Sequence, residues 1–283
     1  MKPDLAKLKK QADDFRNSGK EEEAVAAYQK LIDLYTKVGN LRAVGWAMQQ
    51  TGVSYMIASK FPEAIRWQKK AIQHFKKVGD FAGVGNALRD IGLTYSASQQ
   101  YKQAITYYLK SLDVLKKMKG EDAAHGITLV KLAQAEIRLG KVSQAKKRFE
   151  EGLRLIQKQG QWFFESTAYL NMSEFYMSAE QYDAALDLLE KGRKIIEDHW
   201  HEEIQTRRLA QFYGLAAYCL VKLERAGEAK EYFQKAEKIL KDYQPGVRKP
   251  VEEDIKYKEL KKMLKVLGVS AIVLVNILLG ERL

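Results

Sequence analysis

The chain has 283 residues, 46% of them hydrophobic and only four of them proline, enough material for one extended repeat domain or two ordinary ones. A single cysteine excludes an internal disulfide framework and fits a reducing, cytoplasmic setting. The formal net charge of +12 admits three readings: a plain soluble surface, an acidic protein partner, or nucleic acid.

Taken in order, Met1 to Lys10 carries charge with no apolar run behind it, so no signal peptide is expected. Pro3 suits the first turn of a helix. Helical spacing of apolar residues predicts pairs at 3–18 and 20–38, 40–58 and 60–78, and 80–98 and 100–119. Further pairs are predicted at 121–139 and 141–159, 161–179 and 181–198, and 203–223 and 225–241. Asn40 and Asp80 are placed as N-caps. Gly39, Gly79, Gly120 and Gly160 stand where a left-handed residue would close a pair. Between Ala64 and Ile72 the apolar residues recur at helical spacing while Lys69 and Lys70 point away. Two prolines and a glycine between Gln244 and Pro250 end the pattern and make 243–250 a linker. Residues 251–283 follow as a charged helix running into an apolar tail, Val266 to Gly280.

The pairs repeat one another. A small residue falls in each first helix at Ala12, Gly52, Gly92, Ala133, Ser173 and Ala217. An alanine opens each second helix at Ala24, Ala64, Ala104, Ala145, Ala185 and Ala229. Both series step by 40, 40, 41, 40 and 44. A third small site gives Ala71, Ser111, Gly152, Gly192 and Ala236, with Leu31 as the exception. A bulky site between the helices gives Phe61, Tyr101, Val142 and Tyr182, with Glu21 in the first unit and Ala226 in the sixth as exceptions. Antiparallel helices cross tightly where small side chains meet, and a bulky residue fills the gap at the turn. A helix-interior glycine costs about 1 kcal/mol against alanine, so Gly52 and Gly92 imply backbones in close approach.

With Gly52 and Tyr55, Gly92 and Tyr95, the gap fillers Phe61, Tyr101 and Tyr182, and Ala64 with Ala71, the chain resembles the tetratricopeptide repeat family in its forty-residue variety. The resemblance covers about residues 3 to 240. It departs from the pattern at Glu136 and Leu220, which replace the aromatic. It implies an all-α, right-handed solenoid of six antiparallel helix pairs over 1–242, with 251–283 as a C-terminal extension. It also implies a non-catalytic scaffold or adaptor that grips a peptide or helix of a partner protein along the inner wall, which the first helices line, with a regulatory protein whose repeats sense a signal peptide as the alternative.

Catalytic chemistry is not in evidence. His199 and His201 stand two apart and face different sides of a helix, and His74 and His125 are isolated. No glycine loop cradles a phosphate, because the glycines follow the repeat register. No cofactor or metal is therefore expected. Cys219 sits in an apolar helix and reads as a small core residue. Asn171-Met172-Ser173 matches a glycosylation sequon in form only, since the register puts it inside a helix.

Inward positions lie three before, one after and four after the small site. They give Gln49 and Val53 with Trp46 one turn earlier, then Arg89 and Leu93 with Asn86, then Val130 and Gln134, Leu170 and Glu174, and Tyr218. This wall is an apolar floor with scattered polar groups, suited to a helical or extended peptide with apolar anchors. Val53, Leu93 and Val130 have the alternative of packing against neighbouring repeats. The family's carboxylate-clamp subtype needs lysine and asparagine at set inward sites. Lys9 is present, but Asp13 stands where the asparagine belongs, and Gln49, Val53, Arg89 and Leu93 fill the other places. That subtype is not expected.

The basic clusters Lys69-Lys70, Lys76-Lys77, Lys116-Lys117 and Lys146-Lys147-Arg148 read as decoration of the outer helices. They lack the interleaved aromatics of a base-stacking platform, which disfavours nucleic acid. Val266 to Gly280 has no charge and would be about 22 Å long as a helix, against a bilayer core of about 30 Å. Its readings are a cap or self-association contact through 263–280, a ligand for the protein's own groove, or an anchor to the cytosolic face of a membrane.

Overall fold

A computed structural model describes residues 4–118, 120, 122–199 and 203–242. The linker at 243–250 and the C-terminal extension with its apolar tail lie outside the described residues. Among those residues the secondary structure is twelve α-helices and no strand. They are α1 (Leu5–Asn17), α2 (Glu21–Lys37), α3 (Leu41–Ile57), α4 (Phe61–Lys77), α5 (Phe81–Ala97) and α6 (Tyr101–Leu115). Then come α7 (Asp122–Ile137), α8 (Val142–Lys158), α9 (Trp162–Ser178), α10 (Tyr182–Asp198), α11 (Glu203–Lys222) and α12 (Ala226–Asp242). From α1 to α8 and from α9 to α12 each helix packs against the next, and the twelve form sequential antiparallel pairs. The chain divides into two compact units, Met1–Gln159 with α1–α8 and Gly160–Leu283 with α9–α12.

The turns explain why the helices stop where they do. Within the six pairs, left-handed residues stand at Gly19, Ser59, Gln99, Gly140, Glu180 and Glu224. Their spacing of 40, 40, 41, 40 and 44 is that of the small residues. Gly39, Gly79, Gly120 and Gly160 close four of the pairs with φ between 61° and 84°, at the places read from the sequence. Four of the intra-pair turns hold a side chain in the left-handed region, so the period there is set by helix length rather than by glycine. Asp4, Asn40 and Asp80 cap α1, α3 and α5, each accepting a hydrogen bond from the backbone N–H three residues on.

The small residues are where the close-packing argument put them. Ala12, Ala133, Ser173 and Ala217 in the first helices are fully buried, and so are all six alanines that open the second helices. A further regular position, unread in the sequence, lies four residues after each of those alanines: Tyr28, Gln68, Tyr108, Phe149, Leu189 and Phe233, all fully or almost fully buried. It explains the glycines. A Cβ on Gly92 would fall 2.5 Å from the Tyr108 ring, and one on Gly52 would fall 2.7 Å from Gln68 Cγ. What approaches Gly92 is thus a ring and not a backbone. Gln68 is the one member that is neither aromatic nor aliphatic, and it exchanges hydrogen bonds of 2.9 and 3.0 Å with the Thr94 hydroxyl. Of the gap fillers, Phe61, Tyr101 and Tyr182 are half-buried, but Val142 stays exposed.

Where Glu136 replaces the aromatic of α7, it is 2% exposed. Arg148 of α8 donates Nε to both of its oxygens at 2.9 and 3.0 Å. A salt bridge therefore takes the place of a ring. Arg148 is accordingly not part of the outer basic decoration; the eight lysines grouped with it are exposed.

Candidate functional site

In the first unit the first helices α3, α5 and α7 approach one another, while successive second helices stay further apart. The first-helix face is therefore the crowded one, and polar groups tie it together. Arg16 of α1 hydrogen-bonds Gln50 of α3 and pairs with Asp13 at 3.3 Å. Gln49 of α3 donates to Asp90 of α5 at 2.5 Å, and both are buried. Arg89 lies 3.7 Å from Asp90 and donates to Asn86 at 2.8 Å. Burial raises the Asp90 carboxyl above the ordinary carboxylate range, against the opposing pull of Arg89 and the Gln49 bond.

Between these pairs stand apolar groups. Trp46 is half-buried, edge-on to Tyr28 at 5.9 Å, with the Lys9 ammonium 4.5 Å above its ring. Val53 is half-buried. Leu93 is half-buried against the cluster of Ala104, Tyr108 and Leu112. Gln134 of α7 is half-buried. Asp13, at the asparagine place of the clamp subtype, accepts the Tyr28 hydroxyl at 2.6 Å and so is committed to the fold.

Val130 and Leu170 leave the candidate face. Val130 is buried beside Gly152, and Leu170 is buried in a core with Leu189 and Leu209, so neither presents surface to a ligand. Gln49 is likewise buried, and its amide is spent on Asp90. In the second unit Glu174 is half-buried. Tyr218 is half-buried too, edge-on to Tyr182 at 6.2 Å with Lys222 5.7 Å from its ring.

One register position escaped the sequence reading, the residue two before the small site: Gln50, Asp90, Lys131 and Asn171 in α3, α5, α7 and α9. Its signal was present as a polar residue recurring at the repeat interval inside otherwise apolar helices. Elsewhere, a ring nitrogen of His74 lies 2.7 Å from the Leu41 carbonyl, and His199 stacks on Trp162 at 5.0 Å. His201 is outside the described residues. Cys219 is fully buried, and burial pushes its thiol up to about 12. A groove of about 600 Å³ lies between α4, α5 and α6, walled by Ile72, Leu88 and Val114. No helix among the described residues is long and apolar enough to cross a membrane.

Sequential antiparallel helix pairs with small residues metered at a forty-residue interval define a tetratricopeptide-like repeat protein, and residues 210–242 match the tetratricopeptide repeat itself. Residues 5–159, more than half of the chain, match the family described as soluble NSF attachment protein, SNAP, and the chain belongs to that family. Among solved structures, BtubC (BKLC) from P. vanneervenii is similar with a TM-score of 0.67 and 16% identity, over 83% of this chain and 98% of that one. Aspartyl phosphate phosphatase F from Bacillus subtilis is similar with a TM-score of 0.61 and 15% identity; the match covers 89% of this chain and 64% of that one. The chain thus spans less than two thirds of that protein's length. A Rap protein complexed with Competence and Sporulation Factor has a TM-score of 0.58 and 15% identity, over 86% of this chain and 66% of that one. At these identities the likeness is one of fold. No curated protein matches the chain.

Proposed function

We propose that this chain is a non-catalytic scaffold or adaptor that binds a peptide or helical segment of another protein on its first-helix face. The observation that carries this reading is the make-up of that face in the first unit. Half-buried Trp46, Val53 and Leu93 alternate there with polar groups locked by Arg16–Gln50 and Gln49–Asp90. Apolar anchors between fixed polar groups are what a peptide groove requires, because the anchors supply affinity and the polar groups set register. Membership of the SNAP family and the likeness to a Rap protein complexed with Competence and Sporulation Factor support a binding role. The unpaired, buried Cys219 supports a reducing, cytoplasmic setting.

The test is site-specific photocrosslinking in the full chain. A photoreactive side chain is placed in turn at Val53, at Leu93 and, as control, at the exposed Lys69 of α4. Partner adducts at Val53 and Leu93 but not at Lys69 are the expected result. Adducts of equal yield at Lys69 would move the binding surface off the first-helix face.

A further inference from the structure

The second helices carry one position that is polar in every repeat but one. Five residues after the alanine that opens each second helix stand Gln29, Lys69, Leu109, Glu150, Glu190 and Gln234. Leu109 of α6 is the exception, and it is 46% exposed. A lone exposed leucine is ordinary on a protein surface. Leu109 is not alone, because it lines the groove between α4, α5 and α6.

The packing of the first unit opens that groove. Helix α5 packs against both α4 and α6, while α4 and α6 stand further apart and leave a slot above α5. Beneath the slot lies a core of Ala71, Phe75, Val84 and Ala87. Ile72 of α4, Leu88 of α5 and Val114 of α6 are half-buried against that core and line the groove. The volume of about 600 Å³ falls in the range that holds a ligand, about 300–1,000 Å³.

The neighbouring pairs of second helices are built differently. On α4, facing α2, the places of Leu109 and Val114 hold Lys69 and His74, and a His74 ring nitrogen lies 2.7 Å from the Leu41 carbonyl oxygen. On α8 the place of Leu109 holds Glu150. The apolar wall therefore belongs to one groove and not to the repeat pattern.

The rim carries charge of one sign. Lys76 of α4 and Lys110 of α6 line the groove and are exposed, and neither pairs with a carboxylate of the described residues. Lys110 lies 4.8 Å from the Tyr107 ring centre instead. The one acid among the lining residues is Asp113. It is held by Lys116 at 3.2 Å and by Lys117 at 3.0 Å, so it cancels neither rim lysine.

Shape and charge together describe the occupant. A slot between two helices takes a third helix, whose ridge of side chains enters it. An apolar stripe on that helix covers Leu88, Leu109 and Val114 and extends the core below them. Carboxylates bordering the stripe meet Lys76 on one wall and Lys110 on the other, which sets orientation and partner choice more than affinity. The chain's own apolar segment, Val266 to Gly280, contains no carboxylate and leaves both lysines unanswered.

We propose that the groove between α4, α5 and α6 is a docking surface for an amphipathic helix of a partner protein, one whose apolar stripe is bordered by glutamate or aspartate. The surface lies on the second helices and does not depend on peptide binding at the first-helix face.

The test titrates synthetic peptides of about 18 residues, or five helical turns, into the full chain. One has leucines at helical spacing bordered by glutamates. A second has lysines in place of the glutamates. A third has the composition of the first in an order that spreads the leucines around the helix. A fourth is residues 251–280 of this chain. Methyl signals of leucine and valine are read, assigned by single substitutions. Leu109→Gln is the main variant, because α2 carries an exposed glutamine at this place and the fold accepts it there.

The glutamate-bordered peptide should give saturable shifts at Leu88, Leu109 and Val114 and none at Leu93. It should bind Leu109→Gln about tenfold or more weakly. The lysine-bordered peptide should bind about fivefold or more weakly than the glutamate-bordered one, and that order should reverse in Lys76→Glu with Lys110→Glu. Absence of saturable shifts, undiminished binding to Leu109→Gln, or equal binding of the reordered peptide would overturn the surface. Equal binding of the two bordered peptides would overturn the acidic partner. Tightest binding by residues 251–280 would overturn it in favour of the protein's own chain. Shifts at Leu93 with none at Leu109 would remove this surface and leave the first-helix reading standing.

Discussion

Gly126 of α7 and Gly152 of α8 meet backbone to backbone. A methyl group on Gly126 would fall 2.6 Å from the Gly152 carbonyl oxygen, and one on Gly152 would fall 2.7 Å from the Gly126 carbonyl oxygen. Neither neighbour is the end of a flexible side chain, so neither can step aside. Gly152→Ala should therefore destabilise the protein by about 1–3 kcal/mol through overpacking. Gly227, in the first turn of α12, offers the opposite sign, because nothing lies within 4 Å of a methyl group there. Gly227→Ala should stabilise by up to about 1 kcal/mol through lower chain entropy and better helix propensity. Urea unfolding of the two variants checks both. Equal effects would mean that the helices move apart to make room at Gly126.

The Glu136–Arg148 pair predicts a coupled result. Arg148→Leu leaves a buried carboxylate without its partner and should cost about 3 kcal/mol. The double change Glu136→Leu with Arg148→Leu removes the charge along with its need and should return to within about 1 kcal/mol of the natural chain. A double-mutant cycle measures this, and additive losses would show that the two side chains act independently.

These two sites mark how far the sequence could be read. The repeat register was legible because side-chain size sets how close helices come, and size is written in the residue itself: Ala64, Ala104 and Ala145 need no partner to be named in order to be placed. What faces each small residue was not legible. Whether Gly92 meets a backbone or the Tyr108 ring depends on a helix sixteen residues on, and only three-dimensional register decides it. The candidate face split in the same way. Trp46, Val53 and Leu93 stand half-buried on first helices, while Val130 and Leu170, in the same repeat positions as Arg89, turned out buried. The repeat position fixes a direction, and the neighbouring helix fixes how much surface is left.

Cys219 should be silent to thiol reagents in the folded protein. Burial pushes its thiol up to about 12, so almost no thiolate exists near neutrality, and the side chain is fully covered. Iodoacetamide at pH 8 should leave the native protein unmodified over hours and alkylate it in denaturant, read as one mass increment. Rapid labelling of the native chain would place an opening in α11.

Asp90 predicts how stability moves with pH. Its folded-state pKa is raised, mainly by burial, with Arg89 and Gln49 opposing the shift. An acid held above its unfolded value binds its proton more readily when folded, so its contribution to stability is present at low pH. That contribution is lost as pH rises from about 4, the unfolded value, through the folded one. Asp90→Asn keeps an oxygen for the Gln49 amide, leaves Arg89 its bond to Asn86, and removes the titration. The stability of Asp90→Asn relative to the natural chain should therefore increase between pH 4 and pH 8, measured by urea unfolding at constant ionic strength. A difference that stays flat would mean that Arg89 and Gln49 compensate the buried charge in full. A difference that shrinks would mean that they outweigh burial and hold the carboxyl below its ordinary value.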